Sequence, residues 1–192
     1  MWKKIEEKFA GKQKCMYVCN SNPMKVTSKE VKSELLQMPN DNHTDLNLPT
    51  APLRLSSAQG HATVLDPLRR RYVKLTPEEW VRQHFVHYLI HHKGYPAGLL
   101  GNEVSLTLNG MSRRCDTVLY GLDHQPQMII EYKAPSVALT QKVFDQIYRY
   151  NIVLRVAWLI VSNGLQHVVC HLDLEKGTCE FLSQVPDFNS LK

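Results

Sequence analysis

From Thr76 onward the hydrophobic and polar positions repeat with readable periods. Thr76-Pro77-Glu78-Glu79 joins an N-cap threonine, a proline at the first helical position and a glutamate at the third, which together form a capping box. Val81, Phe85, Tyr88 and Leu89 then recur at helical spacing until Gly94-Tyr95-Pro96 ends the run, so the pattern predicts a helix with one buried face. Glu103 to Leu108 alternates polar with apolar, and Asn109-Gly110 is the dipeptide that two-residue hairpin turns prefer. Ser112 to Tyr120 resumes as a strand, completing a β-hairpin. A loop, Gly121 to Pro126, leads into a third strand, Gln127 to Tyr132, which Ala134-Pro135 breaks. A second helix is expected from about Leu139 to Tyr150. Val156 to Ser162 is a continuous apolar run of central-strand type, Asn163-Gly164 turns the chain, and Gln166 to Leu172 and Thr178 to Leu182 supply outer strands. The order αβββαβββ predicts an α/β domain, a mixed sheet with helices on its faces.

The pattern is weaker before Thr76. Ser28 to Met38 reads as a short helix, with Ser28 as N-cap and Val31, Leu35 and Leu36 on one face, ending before Pro39. Asn47 to Tyr72 mixes prolines, Ser-Ser, Gly60 and the run Arg69-Arg70-Arg71, and reads as a loop or an arm crossing the surface. Residues 1–45 hold eight Lys and no Arg, whereas the remainder holds nine Arg and six Lys. This shift divides an N-terminal extension over 1–45, poorly ordered or with a short helix, from one domain over 46–192.

Composition narrows the class. The chain has 192 residues, 43% hydrophobic and 21% charged, as expected of one soluble domain with a tail. It has no apolar stretch approaching the roughly 20 residues that span a bilayer, and its charged N-terminus does not resemble a secretory signal. The expected compartment is therefore the cytoplasm, without a membrane. A net charge of +5 and a pI near 8.9 permit a polyanionic partner without identifying one. Five cysteines, mostly inside apolar runs, are expected to be reduced and buried rather than a disulfide framework. Cys15 and Cys19 lack a second ligand pair and His43 is isolated, so no structural zinc is expected.

The chemistry concentrates at the third strand. Side chains alternate along a strand, so Glu131 and Lys133 project to one face while Tyr132 points away. If Ser112 to Tyr120 pairs antiparallel with this strand, Asp116 lies beside Glu131, and two adjacent carboxylates repel unless a cation sits between them. Mg²⁺ suits such a site, because it takes oxygen ligands and keeps several waters. Lys133 would then orient or deprotonate an attacking water. The competing reading is a solvated ion pair on an edge strand, against which Met128, Ile129 and Ile130 mark the strand as central.

On the second helix Lys142, Gln146, Arg149 and Tyr150 share one face, either facing a phosphate backbone or simply solvated. His84, His87, His91 and His92 lack the HExxH pattern and read as structural or solvated, and Arg69-Arg70-Arg71 as phosphate contacts or a solvated loop.

Asp116, fourteen residues and then Glu131-Tyr132-Lys133 resemble the PD-(D/E)xK nuclease superfamily. More specifically, Thr76 to Arg82, Arg113 to Asp116, Ile130 to Pro135, Gln146 to Asn151 and Ser162-Asn163-Gly164 resemble the N-terminal nuclease domain of type I restriction enzyme R subunits. The resemblance covers roughly residues 47–187. It implies a restriction-endonuclease-like fold, an αβββαβ core with extra C-terminal strands. By that resemblance Asp116 and Glu131 are metal ligands, Tyr132 offers its backbone carbonyl, and Lys133 is the catalytic lysine. Glu79 resembles the acidic residue of the first helix that helps to bind metal. The capping box alone explains a glutamate there, and Glu78 is a substitute. Gln146 and Tyr150 match the QxxxY element that supports DNA binding. Cys115 stands where the superfamily name has proline.

The expected activity is Mg²⁺- or Mn²⁺-dependent DNA endonuclease-like hydrolysis, with other restriction-system subunits as partners. The alternative is a catalytically silent DNA-binding or assembly module of the same fold, and after that a purely structural protein. The chain has no GxxxxGK[ST] loop, so no motor of its own is expected.

Overall fold

A computed structural model describes residues 44–108 and 111–191. The expected helix over 28–38, the cysteines at 15 and 19 and the Asn109-Gly110 turn lie outside the described residues.

Residues 47–72 were expected to form a loop or arm, but the stretch from Leu55 to Lys74 builds a three-stranded antiparallel sheet. Its strands are β1 (Leu55–Ala58), β2 (His61–Asp66) and β3 (Arg71–Lys74). Strands of four, six and four residues are too short for alternation to rise above a Ser- and Arg-rich composition. The first turn is Gln59-Gly60, both at positive φ (52° and 77°), a left-handed turn without the preferred Asn-Gly sequence. The second is organised by Asp66, whose Oδ1 accepts the backbone N–H groups of Leu68 (2.8 Å) and Arg69 (3.0 Å).

Helix α1 spans Pro77–His92, capped by Thr76, whose Oγ1 accepts the Glu79 N–H at 3.1 Å. Then come β4 (Leu100–Leu108), β5 (Met111–Tyr120), β6 (Pro126–Tyr132), helix α2 (Gln141–Leu154), β7 (Trp158–Ser162), β8 (His167–Asp173) and β9 (Thr178–Leu182). The six strands β4 to β9 lie side by side in chain order. Only β6 and β7 run parallel, because α2 carries the chain back between them. The sheet is mixed and flanked by helices, the α/β arrangement expected.

Alternation on the central strands sorts the core between the two helices. Met128, Ile130 and Tyr132 pack with Val81, Phe85 and Leu89 of α1, whereas Ile129, Leu159 and Val161 pack with Phe144 of α2. α2 runs past the expected end at Tyr150 to Arg155, a left-handed cap at φ 50°. The Asn151 side chain there closes two hydrogen bonds with the backbone of Val156 (2.8 and 2.9 Å).

A second departure concerns sulfur. Cys170 on β8 and Cys179 on β9 form a disulfide, where reduced thiols were expected; their Cα atoms are 6.4 Å apart. An odd total does not exclude one local bridge, and the β8–β9 pairing makes these two residues diagonal neighbours on one face, since Cys170 pairs with Phe181 and Leu172 with Cys179. Cys115 is free and buried. No helix among the described residues is long and apolar enough to cross a membrane.

Candidate active site

The registers of β4, β5 and β6 bring three acids abreast. Thr117 pairs with Ile130, so one step along the same register sets Asp116 opposite Glu131. On the other side Asn102 pairs with Thr117 and Val104 with Cys115, which sets Glu103 opposite Asp116. Glu103 adopts a left-handed backbone (φ 56°) at this point, interrupting the ladder.

Each acid has a defined partner. Asp116 Oδ2 accepts the Tyr132 N–H at 2.8 Å, and its Oδ1 accepts Arg82 Nη2 at 2.8 Å. Lys133 Nζ donates to Glu131 Oε1 at 2.9 Å, while the Lys133 N–H bonds to the Ser162 carbonyl at 2.9 Å and so continues the parallel pairing with β7. The side chains of Asp116, Glu131 and Lys133 are 23%, 17% and 22% exposed, on central strands. This removes the reading of Glu131 and Lys133 as a solvated pair on a sheet edge.

Burial pushes the Glu131 carboxyl up, and Asp116 and Glu78 push it further, against the opposing pull of Lys133. Burial works to lower Lys133, but the Glu131 hydrogen bond and the charges of Glu131, Asp116 and Glu78 raise it on balance. The lysine is therefore an ammonium at neutral pH.

Glu78, exposed in the first turn of α1, is the acid from that helix whose field reaches Glu131 and Lys133. Glu79 is turned elsewhere. Its Oε1 accepts both Arg69 Nη2 (3.0 Å) and Gln83 Nε2 (2.7 Å), and its Oε2 accepts Arg82 Nη1 (2.7 Å). These three donors tie Glu79 to Arg69, Gln83 and Arg82 and give it a structural role beside the site.

Arg82 joins these groups and was not singled out from the sequence as a site residue. It is buried, with one guanidinium nitrogen on Glu79 and the other on both Asp116 (2.8 Å) and Glu103 (2.6 Å). Burial disfavours its charge, but Asp116, Glu79 and Glu103 outweigh that and raise its pKa. Beyond Glu79 the chain of contacts continues through Arg69 to Asp66, which also accepts Asn102 Nδ2 (2.9 Å). Thr117 Oγ1 donates to Asn102 Oδ1 at 2.6 Å. Burial opposes ionisation of Asp66, yet Asn102 and Arg69 hold its carboxyl below the usual range. A sequence signal existed only in retrospect: Arg82 stands three residues after Glu79, the i, i+3 spacing of a helical ion pair.

The register sets the carboxylates of Asp116 and Glu131 side by side, with the Tyr132 N–H on Asp116. Among the described residues no group of three or more His, Cys, Asp or Glu is arranged to hold a metal ion. His84 is buried against Trp80, with Nδ1 2.9 Å from the Trp80 carbonyl, while His91 and His92 are exposed. On α2 Lys142 is exposed; the side chains of Gln146, Arg149 and Tyr150 lie outside those described.

A family profile described as the type I restriction enzyme R protein N terminus matches residues 77–186. The chain belongs to this family. The matched span of the R-protein N terminus begins at the first residue of α1 and covers the sheet that holds Asp116, Glu131 and Lys133, leaving β1 to β3 outside. Among solved structures, the chain is similar to a fragment of an HsdR subunit of a type I restriction enzyme from Vibrio vulnificus YJ016. That match has 20% identity and a TM-score of 0.46, and covers 61% of this chain and 24% of the other. No curated protein matches the chain.

Proposed function

We propose that this R-protein N-terminal domain is a metal-dependent DNA endonuclease that hydrolyses phosphodiester bonds. The observation that carries the reading is Asp116 and Glu131 abreast on two central strands, with the Lys133 ammonium 2.9 Å from Glu131. Asp116, Glu131 and the Tyr132 carbonyl would hold Mg²⁺ or Mn²⁺, with Glu78 in place of Glu79 as the nearby helical acid. Such an ion supplies Lewis-acid polarisation of the scissile phosphate and a more acidic bound water.

The chain's own groups do the rest. Tyr132 N–H and Arg82 fix both oxygens of Asp116, so the carboxylate stays aimed. Lys133, held as an ammonium, places a positive charge and hydrogen-bond donors beside the phosphate, where it orients the attacking water and offsets developing negative charge. Water adds its oxygen to phosphorus as the opposite P–O bond breaks, and the leaving oxygen takes the proton. On α2 Lys142, Gln146, Arg149 and Tyr150 form the face that would meet the DNA backbone. Partner subunits of a restriction system, working in the cytoplasm, would supply the motor.

Calorimetric titration of Mg²⁺ and Mn²⁺ into the wild type, Asp116→Ala and Glu131→Ala tests the site, and DNA cleavage by the wild type against Lys133→Ala tests the chemistry. Metal binding lost in both variants, with cleavage lost in Lys133→Ala, is the expected result. Asp116 and Glu131 are also each paired with a cation of the protein itself, which favours a second reading, a silent DNA-binding or assembly module. Metal binding absent even with DNA present would promote it.

A further inference from the structure

The sheet β1–β3 lies outside the family match and has a one-sided charge distribution. Between Ala51 and Thr76 the sequence has five cations, Arg54, Arg69, Arg70, Arg71 and Lys74, against one acid, Asp66. Arg69 and Asp66 are committed to each other inside the fold, and Arg69 reaches on to Glu79. The other four cations are exposed and, among the described residues, have no carboxylate within ion-pair distance. Strand alternation puts Lys74 on the same face as Tyr72, a large side chain left 51% exposed.

The sheet is also bonded to the elements that carry the site. The β2–β3 turn that carries Arg70 is anchored through Arg69 to Glu79, the neighbour of Glu78 in the first turn of α1, and Asp66 is bonded to Asn102 on β4. The register puts Arg54 beside Leu65 and Tyr72, on the face that also carries Lys74, with Arg70 at the adjoining turn, whereas Arg71 falls on the opposite face with Asp66. Three unpaired cations so placed match the regular negative charge of a nucleic-acid backbone, and an exposed aromatic beside them suits a sugar or base edge.

We infer that this sheet is a second docking surface for the phosphate backbone of duplex DNA, with Arg54, Arg70 and Lys74 as its contacts, linked through Arg69–Glu79 and Asp66–Asn102 to the elements that carry the Asp116–Glu131–Lys133 cluster. The inference rests on the nuclease reading for the choice of DNA but not for the surface itself.

The test is fluorescence anisotropy of a labelled duplex of about 20 base pairs, in EDTA, over a range of salt concentrations, because each phosphate contact contributes about 0.9 to the slope of log K against log salt. The wild type is compared with a variant combining Arg54→Gln, Arg70→Gln and Lys74→Gln, whose folding is checked by circular dichroism. The expected result is a slope flattened by about 2 to 3 in the variant. Should the combined variant misfold, Arg70→Gln and Lys74→Gln alone are each expected to flatten the slope by about 0.9. An unchanged slope, a wild type that does not retain DNA, or a loss seen on polyglutamate but not on DNA would overturn the inference. If DNA stays intact in Mg²⁺ while the slope still falls, the hydrolytic reading fails and the docking surface stands.

Discussion

Acid should loosen this domain through His167. The ring is 1% exposed, wedged 5.3 Å from the Phe85 ring centroid, with Nδ1 2.8 Å from Ser162 Oγ and Nε2 3.4 Å from the Asn47 carbonyl. Both contacts suit a neutral ring that donates from Nε2 and accepts the Ser162 hydroxyl at Nδ1. Burial pulls its pKa down to about 4, against a partial upward pull from the Asn47 carbonyl. In the unfolded chain a histidine titrates near pH 6.5, so below that pH the unfolded state takes up a proton that the folded state refuses. The stability held above pH 6.5 is therefore lost as the pH falls, by about 2 kcal/mol at pH 5 and approaching about 3 kcal/mol below pH 4. Urea midpoints at pH 7.5 and pH 5 for the wild type and His167→Asn measure it, because an asparagine oxygen can still accept from Ser162 but does not titrate. The wild type is expected to lose about 2 kcal/mol more than the variant on acidification. Equal losses would refute the reasoning. The effect would be felt at the site, because Ser162 also accepts the Lys133 N–H through its carbonyl.

Further outcomes follow from the acidic row. Arg82→Met removes the cation shared by three carboxylates and is expected to cost roughly 3–5 kcal/mol, read as a lowered midpoint in thermal or urea unfolding; a loss under about 1 kcal/mol would show that the network is not coupled. Glu79→Gln is expected to destabilise by roughly 2–3 kcal/mol, since Arg69 and Arg82 lose a charged partner, whereas Glu78→Gln should leave stability unchanged and weaken Mg²⁺ binding in calorimetry. The reverse pattern would return Glu79 to the site. Lys133→Ala should keep the fold and the metal affinity while cleavage falls by roughly 10²–10³ in rate, the scale of losing one preorganised charge stabiliser.

The parts legible in the sequence were those with local rules. The capping box at Thr76 announced α1, the continuous apolar run at Val156 announced a central strand, and the alternation around Glu131 put a carboxylate and a lysine on one face. The parts that were not legible depend on contacts between distant residues. Arg82 sees Glu103 and Asp116 only after three strands have paired, so nothing in its local sequence distinguishes it from an ordinary helical arginine. Glu78 and Glu79 are neighbours in a capping box, and only the packing of Arg69 and Gln83 decides which of them turns inward. Strands as short as β1 and β3 carry too few positions to show a period, and the Cys170–Cys179 bridge depends on a register that the sequence does not spell out.

The seam between the small sheet and the large one has a practical consequence for where the chain can be cut. A chain trimmed to the family boundary at Pro77 would lose Thr76, which caps α1, Arg69, which satisfies Glu79, and Asp66, which accepts from Asn102. Each loss strands a polar group inside the remainder, and together they would undo the setting of Asp116. The smallest unit that keeps its chemistry in order therefore begins upstream of β1, and fragments designed on the sequence match alone should be insoluble or inert for a reason that has nothing to do with the residues they contain.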